Sequence, residues 1–154
     1  MIYVDADACP VKAEIVEIAR KYQFNTVFVA SIAHKMNEPV LGEWVYVDAD
    51  KESADLYIIN HIQKMNVVIT QDIGLAGLLL PKDVYVLSPR GIEFKEDTIE
   101  IALNYRYAAA KARRQGKYGK GPKPFLPEDR LRFSTMLTNI LSKIAGDFGL
   151  LSKD

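Results

Sequence analysis

The sequence has little material for cross-links or for a membrane segment. Its 154 residues contain one cysteine, Cys9, so an internal disulfide is excluded. No apolar run approaches the roughly 20 residues that a membrane-spanning helix needs. The opening MIYVDADACP has no basic region before its short apolar stretch, so no signal peptide is predicted. These absences make a cytoplasmic location without a membrane partner the default expectation.

Composition and charge are those of one globular domain with an uneven charge distribution. Hydrophobic residues make up 49% of the chain, charged residues 26%, and the net charge is zero. Residues 1–100 hold 9 Lys/Arg and 16 Asp/Glu, whereas residues 101–132 hold 9 Lys/Arg and 2 Asp/Glu. This asymmetry is typical of an acidic metal centre beside a surface for polyanions, and equally of a basic helix with a solvated face.

Short β-rich apolar runs alternate with amphipathic segments over the first hundred residues. Strands are predicted at 2–4, 26–30, 44–47, 67–70 and 84–87. This alternation predicts a three-layer α/β/α fold with a mostly parallel sheet of about five strands. Additional C-terminal helices are predicted over 98–114 and from Glu128 into the 140s, separated by a loop over 115–124.

The two C-terminal helices each have a predicted inward face. These faces consist of Ile99, Ala102, Leu103 and Tyr107 in the first helix, and Leu131, Phe133, Leu137, Ile140 and Leu141 in the second. No linker interrupts the chain. We therefore predict a single domain over 1–154, with an α/β core over 1–95 and a basic helical part over 96–154.

Aspartates cluster where predicted strands end. Asp5 and Asp7 follow the first strand, Asp72 follows the fourth, and Asp55 opens the helix after the third. Ligands of open α/β sheets bind beyond the carboxyl ends of strands, so these side chains are expected to meet. Clustered carboxylates favour a neutralising cation, and oxygen ligands without His or Cys favour Mg²⁺ or Mn²⁺.

A structural explanation competes with this one, because aspartate also favours turns and caps helices. Asp48 and Asp50, after the third strand, fit that explanation well. Cys9 lies beside the acidic residues, but no histidine is near it in sequence, so a buried structural thiol is favoured. His34 and His61 are expected to be ordinary loop and helix residues.

The segment SADLYIINHIQKMNVVITQDIGLAGLLL resembles the central signature of PIN-domain nucleases. In that signature an acidic residue opens a helix, and a strand and a Thr-x-Asp turn follow. Asp55, Thr70 and Asp72 match these elements, and Asp5 matches the family's opening aspartate. Many PIN nucleases carry another acidic residue after the turn, where this chain has Ile73-Gly74.

A wider resemblance covers almost the whole chain. The segments VDADACPVK, SADLYI, VITQDIGLA, LSPRG, GKGPKPF and EDRLRF together resemble the bacterial YaiI/YqxD family. That family is viewed as PIN-like, so the resemblance implies a PIN-like fold more firmly than a reaction. Nucleases of this fold often pair, which makes a homodimer a further expectation.

The leading hypothesis is a Mg²⁺- or Mn²⁺-dependent nuclease for RNA or single-stranded nucleic acid. Its metal-binding and catalytic residues would be Asp5, Asp7, Asp55 and Asp72. Its phosphate-binding residues would be Arg90, Arg113, Arg114, Lys117, Lys120, Lys123 and Arg130. Tyr118 and Phe125 could stack on bases, or the loop could be merely solvated with Phe125 on the core. Asp129 and Arg130 could form a local ion pair or, as the resemblance implies, a structural clasp of the family.

Two other functions are compatible with the residues. A haloacid-dehalogenase-type phosphatase would use Asp5 as nucleophile, Asp7 as acid and Ser31 as phosphate ligand, although no lysine stands out for that chemistry. A non-catalytic nucleic-acid or protein-binding module on a PIN-like fold would explain the missing acid after Asp72.

Overall fold

The computed structural model describes residues 1–35, 40–50, 52–118 and 123–151, with side chains as far as residue 146. The strands are β1 (Ile2–Asp5), β2 (Thr26–Ser31), β3 (Glu43–Val47), β4 (Val67–Ile69), β5 (Tyr85–Leu87) and β6 (Glu93–Phe94). The α-helices are α1 (Lys12–Lys21), α2 (Ser53–His61), α3 (Ile73–Leu79), α4 (Glu96–Arg114) and α5 (Pro127–Leu151). Among these residues, no helix is both long and apolar enough to cross a membrane.

The strands form one sheet in the order β3-β2-β1-β4-β5-β6. The first five are parallel, and β6 pairs antiparallel with β5. The predicted α/β fold with a mostly parallel sheet is confirmed. Strand β6 was missed because its two residues, Glu93 and Phe94, carry no periodic pattern. The chain leaves β1 in one direction and returns to its other side at β4, so a crevice opens between the ends of these two strands.

Alternating side chains of the central strands build a core on each face of the sheet. Ile2 and Val4 of β1 join one cluster with α1 and α5, whereas Tyr3 joins the other with α2, α3 and α4. Phe133 and Leu137 of α5 are fully buried in the first cluster. Helix α5 is thus an integral part of the core.

The predicted inward faces of α4 and α5 were each wrong at one position. Tyr107 is 66% exposed and Leu131 is 70% exposed. Helix α4 packs on α3, where Ile99 and Leu103 approach Gly77, so its contact face is narrow. Leu131 lies two residues before Phe133, and at about 100° per residue it points away from the inward stripe.

Gly91 sits where the turn after β5 meets α5. Its φ of +85° lies in the left-handed region, and a Cβ there would be 2.6 Å from the backbone of Arg132 and Phe133. Gly116 has a similar φ of +78° but nothing within 4 Å of its Cβ position. The two glycines therefore share the same backbone constraint and differ in steric surroundings.

We expect Gly91→Ala to lower the free energy of unfolding by about 2 kcal/mol or more, because strain and a backbone clash add. Gly116→Ala should cost only about 1 kcal/mol, the left-handed penalty alone. Urea unfolding of both variants measures the difference. Equal destabilisation would show that the approach of the turn to α5 can relax without cost.

Candidate functional site

A cavity of about 520 Å³ opens at the carboxyl end of the sheet, over the crevice between β1 and β4. Its polar lining is dominated by aspartates. These are Asp5, Asp7, Asp48, Asp50, Asp55 and Asp72. The structure therefore brings together the four aspartates selected from the sequence, and it adds the two that were assigned to turns. We call this cavity the acidic pocket.

Thr70 links the two central strands at the floor of the acidic pocket. Its side chain is buried, and its Oγ1 donates a hydrogen bond to Asp5 Oδ2 at 3.1 Å. The same oxygen accepts the backbone N–H of Asp72 at 3.0 Å. Asp72 in turn caps α3, because its Oδ1 accepts the backbone N–H of Leu75 at 3.2 Å. One threonine thus fixes Asp5 relative to the turn that carries Asp72.

Asp7 is held by the residue that ends β2. The backbone N–H of Ser31 donates to both carboxylate oxygens of Asp7, at 2.9 and 3.2 Å. The Oγ of Ser31 lies 2.8 Å from His34 Nδ1, which is 3.4 Å from Asp7 Oδ1. His34 was predicted to be an ordinary loop residue, yet it lines the pocket. Nothing in the local sequence signals this placement, which arises from the short 3₁₀ turn after β2.

Burial and like charges raise the pKa of two aspartates. Burial raises the pKa of Asp5, partly opposed by the hydrogen bond from Thr70, and the charges of Asp7 and Asp72 raise it further. Asp55 lies in the first turn of α2, where burial chiefly raises its pKa to about 6. Asp72 and Asp5 add to that rise. Both shifts favour the neutral carboxylic acid unless a cation joins the site.

Arg106 of α4 is the one Lys or Arg among the described residues that line this pocket. Its Nη1 lies 3.3 Å from Asp72 Oδ1. Space for the guanidinium depends on Gly74, because a Cβ at that position would lie 2.6 Å from Nη1. Sequence reasoning missed Arg106. Its position could have been noticed in the sequence, because Arg106 follows Leu103 by three residues and so falls on the predicted inward face of the helix.

The side chains of the pocket offer six carboxylates, which suit a hard divalent cation, and one imidazole, that of His34. Among the described residues, however, no three acidic, histidine or cysteine side chains converge closely enough to hold a metal ion as they stand. Within the described part of the chain, the Arg106 guanidinium is the cationic group that pairs with Asp72. A cation bound by three of these aspartates would require their side chains to rotate toward a common point.

Two arginines assigned to phosphate binding instead make internal contacts. Arg90 Nη1 lies 2.8 Å from Asp129 Oδ2 and also donates to the carbonyl of Pro124, while Nη2 donates to the carbonyl of Lys123. Arg130 Nη1 lies 2.6 Å from Glu14 Oε1. The suggested local ion pair of Asp129 with Arg130 was wrong: Asp129 pairs with Arg90 and Arg132, which is three residues on along α5.

The remaining basic residues selected from the sequence do not line the acidic pocket, or they fall outside the described part of the chain. Arg113 and Arg114 end α4 on its exposed side, and Lys117 follows them. Lys120 falls outside the described residues. Tyr118 is 78% exposed, whereas Phe125 packs against the core beside the guanidinium groups of Arg90 and Arg130. Phe125 therefore lies on the core, as the structural explanation of this loop predicted.

Cys9 is buried next to the site, and burial raises the pKa of its thiol. A raised thiol pKa disfavours the thiolate that a nucleophile needs. The interpretation of Cys9 as a structural thiol agrees with this environment.

These features define a class: a three-layer α/β/α protein with an acidic pocket at the switch point of a mostly parallel sheet. Sequence comparison then gives the family. The profile described as "Uncharacterized BCR, YaiI/YqxD family" matches residues 3–143, and the chain belongs to this family. No solved structure matches the chain significantly.

Curated relatives cover nearly the whole chain. A UPF0178 protein of Bacillus cytotoxicus is 51% identical over 145 residues, which are 94% of this chain and 95% of that protein. One from Bacillus velezensis is 52% identical over 94% of this chain and 87% of its own. One from Listeria innocua is 47% identical over 89% of this chain and 94% of its own. None of these names states an activity.

The contacts of Asp129 predict a pH-dependent contribution to stability. The backbone N–H of Leu126 lowers the pKa of Asp129, and Arg132 and Arg90 reinforce this against the effect of burial. Because the folded pKa is lowered, the stabilisation is complete above the ordinary aspartate pKa of about 4. It is lost as the pH falls through the folded value.

We therefore expect Asp129→Asn to lower the urea midpoint of unfolding at pH 7. The gap, which is the difference between the midpoints of wild type and variant, should shrink toward pH 3. Glu128→Gln, one residue earlier in the same helix turn, is the matched control and should have little effect. A gap that does not change with pH would contradict the role assigned to the carboxylate charge.

Proposed function

We propose that this protein is a divalent-metal-dependent phosphodiesterase on a PIN-like fold, acting on RNA or single-stranded nucleic acid. The observation that carries the proposal is the concentration of six aspartates in one cavity at the switch point of the sheet. Carboxylates that share one cavity, with the pKa values of Asp5 and Asp55 raised, are stabilised when a cation joins them.

Asp5, Asp55 and Asp72 are the proposed ligands of Mg²⁺ or Mn²⁺. They come from three separate elements, β1, α2 and the turn before α3, so a shared cation would also tie these elements together. When bound, such a cation lowers the pKa of water and stabilises charge on a phosphodiester. Asp7, whose oxygens are held by the Ser31 amide, would orient a water molecule or complete the ligand set.

The basic end of α4 is the proposed contact for the nucleic-acid backbone. Arg113, Arg114 and Lys117 are exposed there, beyond the residues that pack on α3. Arg90 and Arg130 would contribute less, because their guanidinium groups are already bound to Asp129 and Glu14.

Calorimetric titration with Mn²⁺ tests the metal site. We expect Asp72→Asn to weaken binding by at least about tenfold, since even outer-shell changes cost 10- to 100-fold. Asparagine is the suitable replacement because it still caps a helix, so α3 should remain intact. Asp97→Asn, in the exposed first turn of α4, is the control and should bind Mn²⁺ as the wild type does. A wild-type titration without heat would remove the main support for the proposal.

Cleavage of end-labelled single-stranded RNA in Mn²⁺ tests the reaction. Activity in the wild type and in Asp97→Asn, with loss in Asp72→Asn, is the expected result. RNA binding that survives chelation, without cleavage, would instead identify a non-catalytic binding protein. An acyl-phosphate trapped on Asp5 by a phosphate mimic would identify a phosphatase.

A further inference from the structure

Arg106 has an unusual position for a side chain that only stabilises the fold. Its side chain is 51% exposed, and its one ion pair within the described residues is the single 3.3 Å contact with Asp72. Exposed ion pairs of this kind contribute little to the free energy of unfolding. The pair is not bidentate, so most of the donor capacity of the guanidinium remains available to a ligand.

The fold nevertheless directs this arginine into the acidic pocket. Leu103, three residues earlier on α4, packs near Gly77 of α3 and sets the position of the helix. Gly74, one turn earlier on α3, leaves the space that Nη1 occupies. The contact of Leu103 with α3 and the space beside Gly74 together allow Arg106 to reach Asp72.

The face of α4 that carries Arg106 continues out of the pocket. Ile99, Leu103, Arg106, Ala110 and Arg113 fall on one stripe, within about 80° of helix circumference at 100° per residue. Arg113 lies seven residues after Arg106, about 10 Å along the axis at 1.5 Å per residue. Lys111 lies about 140° from Arg106 around the same helix. The stripe thus carries cations from the pocket outward along α4.

We propose that Arg106 binds a phosphate of a single-stranded nucleic acid seated in the acidic pocket, and that Arg113 binds the backbone farther along α4. This inference rests on the proposed function. Arg106 pairs with Asp72 in this structure, and a cation held by Asp72 would weaken that attraction. The guanidinium would then be available to a phosphate, an anion that its planar fork matches in two parallel hydrogen bonds.

The first test is binding of a fluorescein-labelled ten-nucleotide oligouridine to the full chain, followed by fluorescence anisotropy in Ca²⁺. We expect Arg106→Gln to weaken binding about tenfold, and to reduce the slope of log affinity against log salt by about 0.7. Arg113→Gln should weaken it about threefold. Lys111→Gln removes the same charge from the opposite side of α4 and should change binding less than about twofold.

Equal losses in Arg106→Gln and Lys111→Gln would overturn the proposal, because binding would then follow net charge alone. A wild-type chain that binds no oligouridine would overturn it as well. Arg106→Lys keeps the charge and loses the planar fork, so it should fall between the wild type and Arg106→Gln. Equal urea midpoints for these variants establish that the comparison is made between folded proteins.

The second test is the Mn²⁺ titration of Arg106→Gln without nucleic acid. Removing the competing guanidinium should tighten Mn²⁺ binding severalfold, the opposite direction to its effect on oligouridine. Mn²⁺ binding weakened by the substitution would contradict the exchange between cation and phosphate. A wild-type chain that binds oligouridine through Arg106 but binds no Mn²⁺ would refute the proposed metal-dependent function and leave the phosphate role of Arg106 standing.

Discussion

The hydrogen bonds of Thr70 hold the acidic pocket in its geometry. Strands β1 and β4 are adjacent and parallel, so their carboxyl ends lie side by side, but strand pairing alone fixes only their backbones. Thr70 donates to Asp5 and accepts from the backbone of Asp72, which connects the two turns that leave these strands. Because the threonine is buried, water competes little for these bonds. The position of Asp72 then determines where α3 begins.

Charge balance in the pocket depends on a helix that lies far along the chain. Six aspartates line the cavity. Arg106, the one Lys or Arg among the described residues that line it, comes from α4. Gly74 permits this arrangement, since a side chain there would occupy the space of the guanidinium. The space beside this glycine is filled by the guanidinium of Arg106.

Basic residues that look alike in the sequence have different roles in the structure. Arg90 and Arg132 bind Asp129, which also accepts the backbone N–H of Leu126 at the start of α5. Together with the close approach of Gly91 to α5, these contacts fasten the turn after β5 to the last helix. Arg113 and Arg114 remain exposed. Charge counting along the chain cannot make this distinction, because it depends on which carboxylates the fold places nearby.

The sequence by itself determined the class of fold and the centre of the candidate site. Alternating β-rich and amphipathic segments specify a parallel sheet, and Asp5, Asp55 and Asp72 stand at strand ends or helix starts by local position alone. Only the tertiary structure decided the strand order, the two-residue strand β6 and the entry of His34 and Arg106 into the pocket. The strand order and the entry of Arg106 depend on which distant segments meet, such as α3 with α4, and the pattern within one segment does not specify its partner. Local pattern therefore located the carboxylates, whereas long-range packing selected the groups that face them.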